Sequence, residues 1–262
     1  MGLLDGKRIL VTGVLTDASL AFAVARAAQR EGAEVVLSGA GRGLSLTRRT
    51  ARKLPVEADV LEIDVTEPDQ LREAAAQLAG QWDRLDGLLH AIGYAPPECL
   101  GGDIFQAGWD QVQVALQVSA YSLKALVEAF RPMLAAAGRN GRTGASVVAL
   151  DFDATVAWPA YDWMGVAKAA LESLGRYLAR DTGAERIRVN MIAAGPVKTM
   201  AARSIPGFAA FEDTWAQRAP LGWDVLDAGV VADACVGLLS DLFPMTTGEI
   251  IHVDGGAHAM GA

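Results

Sequence analysis

Residues 9–25 read ILVTGVLTDASLAFAVA. An apolar run of strand length stops at Gly13, a short loop follows, and an apolar helix opens near Ser19. A strand that turns through glycine into a helix is the first half of a βαβ unit, whose next strand lies parallel to the first.

The unit repeats along the chain. Strand-length apolar runs recur at 7–12, 33–38, 58–64, 85–92, 144–150, 187–194 and 248–255. Most are apolar throughout rather than alternating, the pattern of strands covered on both faces. Between them lie helix-like segments at 20–31, 44–54, 68–82, 109–134, 160–182 and 228–239. That order predicts right-handed crossovers and a single-domain, Rossmann-type, doubly wound α/β fold: a parallel seven-stranded sheet with helices on both faces. No Pro/Ser-rich linker, low-complexity tract or internal repeat divides residues 1–262, so one domain is expected. Two segments break the rhythm. GRNGRTG (138–144) reads as a solvated turn. Residues 198–223 are longer and richer in Ala, Phe, Trp and Pro than a turn requires, and are expected to form a mobile, partly apolar lid over a site.

Bulk properties exclude several classes. A net charge of −8 argues against a general nucleic-acid grip, which needs a basic face. Cys99 and Cys235 stand far apart, with no CxxC or Cys/His cluster, so no disulfide or metal framework is expected. The N-terminal MGLLDGKRILVTG lacks the apolar core of a signal peptide, and no run reaches membrane-helix length. A soluble cytoplasmic protein is expected.

The turn at Gly13 sits where open α/β sheets bind ligands, and its pattern is G-x5-S-x-A, Gly13 to Ala21. Ser19 is expected to cap the helix through its hydroxyl and to donate to a phosphate, while Ala21 permits close helix–strand packing. Other strand ends agree: Asp64-Val65 for an adenine edge, Ile92-Gly93 for a ribose or nicotinamide, and AAGPVKT (193–199), whose Gly-Pro turn brings Thr199 toward a pyrophosphate. The second strand ends in SGAGRG without the acidic residue that holds a ribose 2′-hydroxyl, and Arg42 stands ready for a 2′-phosphate, so NADPH stays open beside NADH.

YDWMGVAK (161–168) sets Tyr161 and Lys168 seven apart, about two turns of one helical face. A lysine there can meet the cofactor ribose, and a phenol can donate to an oxygen that becomes anionic during hydride transfer. Phe152, at the end of the preceding strand, is placed to wall the hydride path. Packed aromatic and snorkelling lysine roles remain open for the same pair.

Together, G-x5-S-x-A, DFD around Phe152, PAYDWMGVAKAALES, AAGPVKT, QRAPLGW and TTGEIIHVDGGAH resemble, over essentially the full chain, the NADH-dependent enoyl-[acyl-carrier-protein] reductases, most nearly the actinobacterial type. These are divergent members of the short-chain dehydrogenase/reductase superfamily, whose ordinary members carry Y-x3-K; here that lysine position is Gly165. The resemblance implies reduction of the trans-2 double bond of an enoyl thioester in fatty-acid, or mycolic-acid, synthesis. It implies Tyr161 on the thioester carbonyl, Lys168 on the nicotinamide ribose and Phe152 beside the substrate. It further implies cofactor contacts at Gly13, Ser19, Leu20, Asp64, Val65, Ile92, Gly93, Lys168, Val197 and Thr199, no metal, an acyl carrier protein or CoA thioester as substrate, and a homotetramer. The chain departs from its mycobacterial relatives at Ala40, where an adenine-stacking aromatic stands, at Gly41 and at Ala91. Between Thr199 and Trp215 it resembles the shorter loop of general bacterial members, which implies a shallow acyl crevice for short to medium chains. The alternatives are a carbonyl or hydroxyl dehydrogenase such as a 3-oxoacyl-thioester reductase, and a non-catalytic nucleotide sensor.

Overall fold

A computed structural model describes residues 1–140, 143–200, 202 and 205–261. Seven strands, β1 (Arg8–Val11), β2 (Glu34–Gly39), β3 (Val60–Glu62), β4 (Gly87–His90), β5 (Ala145–Asp151), β6 (Ile187–Ala194) and β7 (Ile250–Val253), form one sheet in the order β3-β2-β1-β4-β5-β6-β7. Every pairing is parallel. The order reverses between β1 and β4, and that crevice lies at the C-terminal ends of the strands.

Alternation along each strand feeds two cores. Ile9 and Val11 face one side with Val148 and Leu150, packed by α1 (Leu20–Arg30) and α8 (Gly229–Leu239). Leu10, Val147 and Ala149 face the other, covered by α3 (Pro68–Ala79), α5 (Ser122–Asn140) and α6 (Asp162–Thr182). All residues of β5 and β6 are buried, as continuous apolar runs require. Each fully buried leucine in these layers contributes about 2 kcal/mol.

All seven expected strands and six helical segments are present, most with ends shifted by a few residues. Three differences have physical causes. The expected helix at 109–134 is α4 (Trp109–Leu116), a π-helical turn (Gln117–Tyr121) and α5, which runs on to Asn140. Ser119 lies in that turn, and its hydroxyl accepts from Tyr94 N (2.9 Å) and donates to Tyr94 O (2.8 Å), tying the widened turn to the loop after β4. The expected turn at 138–144 therefore begins later: 138–140 are helical and 141–142 lie outside the described residues. Gly144, at φ +72°, ends it, because a Cβ there would stand 1.9 Å from the Arg186 carbonyl oxygen. The segment expected to be a lid, 198–223, contains α7 (Phe208–Arg218), and 201, 203 and 204 lie outside the described residues. A 3₁₀ turn (Gly41–Gly43) and α2 (Leu44–Ala51) follow β2. Among the described residues no helix is long and apolar enough to cross a membrane.

Candidate active site

The site is built on the C-terminal ends of β1, β4, β5 and β6. Gly13, at φ +85°, closes the turn after β1 against β4, where a Cβ would lie 2.0 Å from the Ala91 carbonyl oxygen. Only glycine permits that approach. Ser19 is the residue before α1, yet its hydroxyl does not cap the helix. It accepts instead from Thr16 N (3.1 Å) and Leu15 N (3.3 Å), bracing the loop. The expected cap is therefore replaced by a loop brace, and the hydroxyl proton stays free to donate. The helix start leaves the N–H groups of Leu20 and Ala21 without an intrahelical acceptor, the arrangement that receives a phosphate.

Asp64 lies two residues beyond β3. Its Oδ1 accepts from Thr66 N (2.9 Å) and Thr66 Oγ1 (2.7 Å), so one carboxylate oxygen serves its own turn beside Val65. Ile92 and Gly93 follow β4, and a Cβ on Gly93 would press on Met164 Cε at 3.1 Å. After β6, Val197 is buried and Thr199 Oγ1 accepts from Ala202 N (3.0 Å). Arg42 is exposed in the 3₁₀ turn after β2.

Tyr161 and Lys168 both meet the end of β5, by different routes. Tyr161 is not inside the helix as the spacing predicted; it is the residue just before α6, at φ −99°. Its neighbours Ala160 (φ +58°) and Asp162 (φ +36°) occupy the left-handed region that non-glycine residues avoid. A loop holds both: Gly101 N donates to the Ala160 carbonyl (3.1 Å) and Gly102 N to Asp162 Oδ2 (2.6 Å). The phenol is only 6% exposed, and burial, aided by the Asp151 charge, pushes its pKa above the ordinary tyrosine value. It therefore stays a proton donor at neutral pH. Phe152 meets the Tyr161 ring edge-on at 5.2 Å between centroids. Lys168 Nζ donates to the Leu150 carbonyl (2.9 Å) and stands 3.9 Å from Asp151 Oδ1. Burial lowers its pKa, and the Asp151 and Glu172 carboxylates oppose that shift.

Gly165 stands where a Y-x3-K lysine would be, and a Cβ there would touch only Tyr161 Cδ1, at 3.6 Å. Steric pressure does not demand glycine; the position simply brings no charge to the phenol. Residues 151–153, Asp-Phe-Asp, include no hydroxyl at the end of β5.

Sequence reasoning did not assign the aromatic walls. Phe152 is ringed by Trp158 (5.2 Å), Phe211 (5.6 Å) and Trp215 (5.7 Å), so α7 packs on the loop that carries Phe152. Trp158 and Phe211 also line a cavity of about 470 Å³, shared with Pro206, Ala210, Thr214 and Arg218. Nor did it assign Glu172, one turn beyond Lys168, whose Oε1 accepts from Ala154 N (3.1 Å). An aspartate closing a strand of apolar residues at Asp151 was the one available signal.

The residues fit a dinucleotide. A glycine turn and a free helix start stand at β1, and a buried ammonium with one close acceptor stands at β5. Among the described residues no cluster of His, Cys, Asp and Glu could hold a metal.

A family model described as "Enoyl-(Acyl carrier protein) reductase" matches residues 13–258. The enoyl-[acyl-carrier-protein] reductase [NADH] of Mycolicibacterium smegmatis is 43% identical over 270 aligned residues, covering 98% of this chain and 97% of that protein. The enzyme of the same name from Mycobacterium avium is 40% identical over 269, with 98% and 97% covered. The Neisseria meningitidis enzyme is 40% identical over 261, with 98% and 96% covered.

Proposed function

The chain belongs to the enoyl-[acyl-carrier-protein] reductase family, and from that premise we propose how its residues reduce the trans-2 double bond of an enoyl thioester with NADH. It is an oxidoreductase of fatty-acid biosynthesis, acting on acyl groups carried by acyl carrier protein. One observation carries the assignment of the chemistry: the protonated phenol of Tyr161 stands edge-on to Phe152 at the end of β5, with no lysine one turn away at Gly165.

When bound, NADH supplies a hydride to the β-carbon of the substrate. Tyr161 donates its hydroxyl proton in a hydrogen bond to the thioester carbonyl, and that bond strengthens as the oxygen becomes an enolate, which then takes up a proton at the α-carbon to complete the reduction. Burial keeps the phenol protonated, so it acts as a donor across neutral pH. Lys168 holds the nicotinamide ribose with N–H groups that the Leu150 carbonyl does not use. Gly13 and the N–H groups at Leu20 receive the pyrophosphate, with Ser19 and Thr199 donating beside them. Asp64, Val65, Ile92, Gly93 and Val197 line the remaining strand ends against the nucleotide. Phe152 walls the reacting carbons, and α7 covers the acyl chain. Water is kept out by the Trp158, Phe211 and Trp215 rings.

A carbonyl reductase reading is disfavoured by the absence of a hydroxyl at 151–153 and of charge at Gly165. The test is NADH oxidation, followed by absorbance, with purified protein and either a trans-2-octenoyl or an acetoacetyl thioester. Oxidation with the octenoyl substrate alone is expected; oxidation with acetoacetyl alone would overturn the reading. In the same assay trans-2-octenoyl thioester should turn over faster than hexadecenoyl, because Phe211 and Trp215 already occupy the space beside Phe152. Equal turnover of the two chain lengths would remove the short-crevice reading.

The reading also includes a cytoplasmic homotetramer. Its support is two buried, unpaired cysteines, Cys99 and Cys235, and exposed apolar side chains at Trp109, Tyr121, Val166 and Tyr177 around α4 and α6. Light scattering should return four times the 27.5 kDa chain; a monomer mass would sink this part.

A further inference from the structure

Asp151 is a charged group that no step above uses. It ends β5, in register with Ala193 of β6 and, through it, His252 of β7. Its side chain is 0% exposed, and neither carboxylate oxygen has a hydrogen-bond partner among the described residues. Burying a carboxylate so is costly unless an opposite charge stands close. That charge is Lys168, whose ammonium is 3.9 Å from Oδ1 and whose nearest bond is to the carbonyl of Leu150, the residue before Asp151. One short stretch of β5 thus holds the ammonium twice, by a dipole and by a charge.

Of the other titratable groups around the pair, Glu172 alone also opposes the loss of the Lys168 proton, after Asp151. Glu172, from α6, spends Oε1 on Ala154 N. His90, from β4, is neutral: Ser122 Oγ donates to the Val118 carbonyl (2.7 Å), so it accepts from His90 Nε2 at 2.7 Å, and Nδ1 is left a bare buried acceptor. Burial, with Lys168's charge second, pushes its pKa down to about 3. Tyr161 stays protonated, and His252 lies two strands away beside Asp153.

We propose that Asp151 is a positioning residue for the dinucleotide, acting through Lys168: its buried carboxylate keeps the ammonium charged and fixed at the end of β5. The proposal rests on the family reading of Lys168 as the ribose contact. Burial, offset in part by Lys168 and reinforced by Glu172, brings the Asp151 pKa up to about 7. Below that value Asp151 takes up a proton and its hold on the ammonium weakens; above it, the carboxylate opposes the loss of the lysine proton.

Asp151→Asn copies the neutral form. Its NADH dissociation constant, read by nucleotide fluorescence, should match that of wild type at about pH 6. It should rise above wild type at about pH 9, by up to about tenfold for each pKa unit lost, because the variant lacks the larger of the two charges that oppose loss of the Lys168 proton. The melting temperature of the cofactor-free protein serves as the second readout and should stay near that of wild type at about pH 6. Asp151→Glu, which keeps the charge, should recover most of the alkaline affinity. Equal affinity at both pH values overturns the proposal. So does an equal loss at both with a lowered melting temperature, which marks a role in folding alone. Should Asp151→Asn not fold, Asp151→Ser is read by the same criteria. Wild-type protein that binds no NADH would sink this proposal together with the reading beneath it.

Discussion

Tyr161→Phe should lower kcat on a trans-2-octenoyl thioester by on the order of 10²-fold, with the NADH dissociation constant unchanged within about twofold. The phenyl ring keeps its edge-on packing with Phe152, so the fold and the walls of the site persist. What disappears is the one donor aimed at the oxygen where charge develops. A donor needed only in the transition state shows itself in kcat rather than in ground-state affinity. The same argument fixes the pH behaviour. Because burial raises the phenol pKa, its proton is present throughout the neutral range, and wild-type turnover should show no loss assignable to Tyr161 below the ordinary tyrosine value. Undiminished kcat in Tyr161→Phe would show that another group meets the enolate.

Lys168→Ala should weaken NADH binding by about 10- to 100-fold, the loss of a charge-assisted hydrogen bond worth about 1.5–3 kcal/mol. It also removes the partner of a buried carboxylate, which destabilises a fold by about 3–5 kcal/mol unless that carboxyl takes up a proton. Asp151, whose pKa already sits at about 7, takes up the proton easily once Lys168 is gone. The measured loss of stability should therefore be smaller at acidic than at alkaline pH. Lys168→Met separates the two effects from packing, since it keeps most of the stem in place. NADH affinity equal to wild type in either variant would remove Lys168 from the cofactor site.

How much of this was legible in the sequence follows from what each signal depends on. The sheet was legible because buried parallel strands must be apolar throughout, and β5 and β6 are buried at every residue. The turn at Gly13 was legible because a left-handed residue pressed against β4 leaves no choice but glycine. The hydroxyl of Ser19 was misread: a serine before a helix suggests a cap, but the loop offered Leu15 and Thr16 N–H groups closer at hand. Helix α7 was read as lid without a helix, since Gly207, a left-handed glycine that reads as a turn, stands directly before its start. The wall made by Trp158, Phe211 and Trp215 was out of reach for a different reason. Its members lie far apart in the chain and meet only because α7 folds back over the loop after β5. Family resemblance carried the roles of Tyr161 and Lys168, which spacing alone left open between chemistry and packing.

The two left-handed residues beside Tyr161 bear on how the enzyme can change over generations. Ala160 and Asp162 hold conformations that cost about 1–3 kcal/mol each and that glycine adopts freely. In the genetic code every alanine and every aspartate codon is one base from a glycine codon. Relief of the strain at either position therefore lies a single point mutation away, and each such step loosens the backbone that aims the phenol without touching the phenol itself. Tightness around the reacting centre is thus open to gradual adjustment, independent of the residues that perform the reduction.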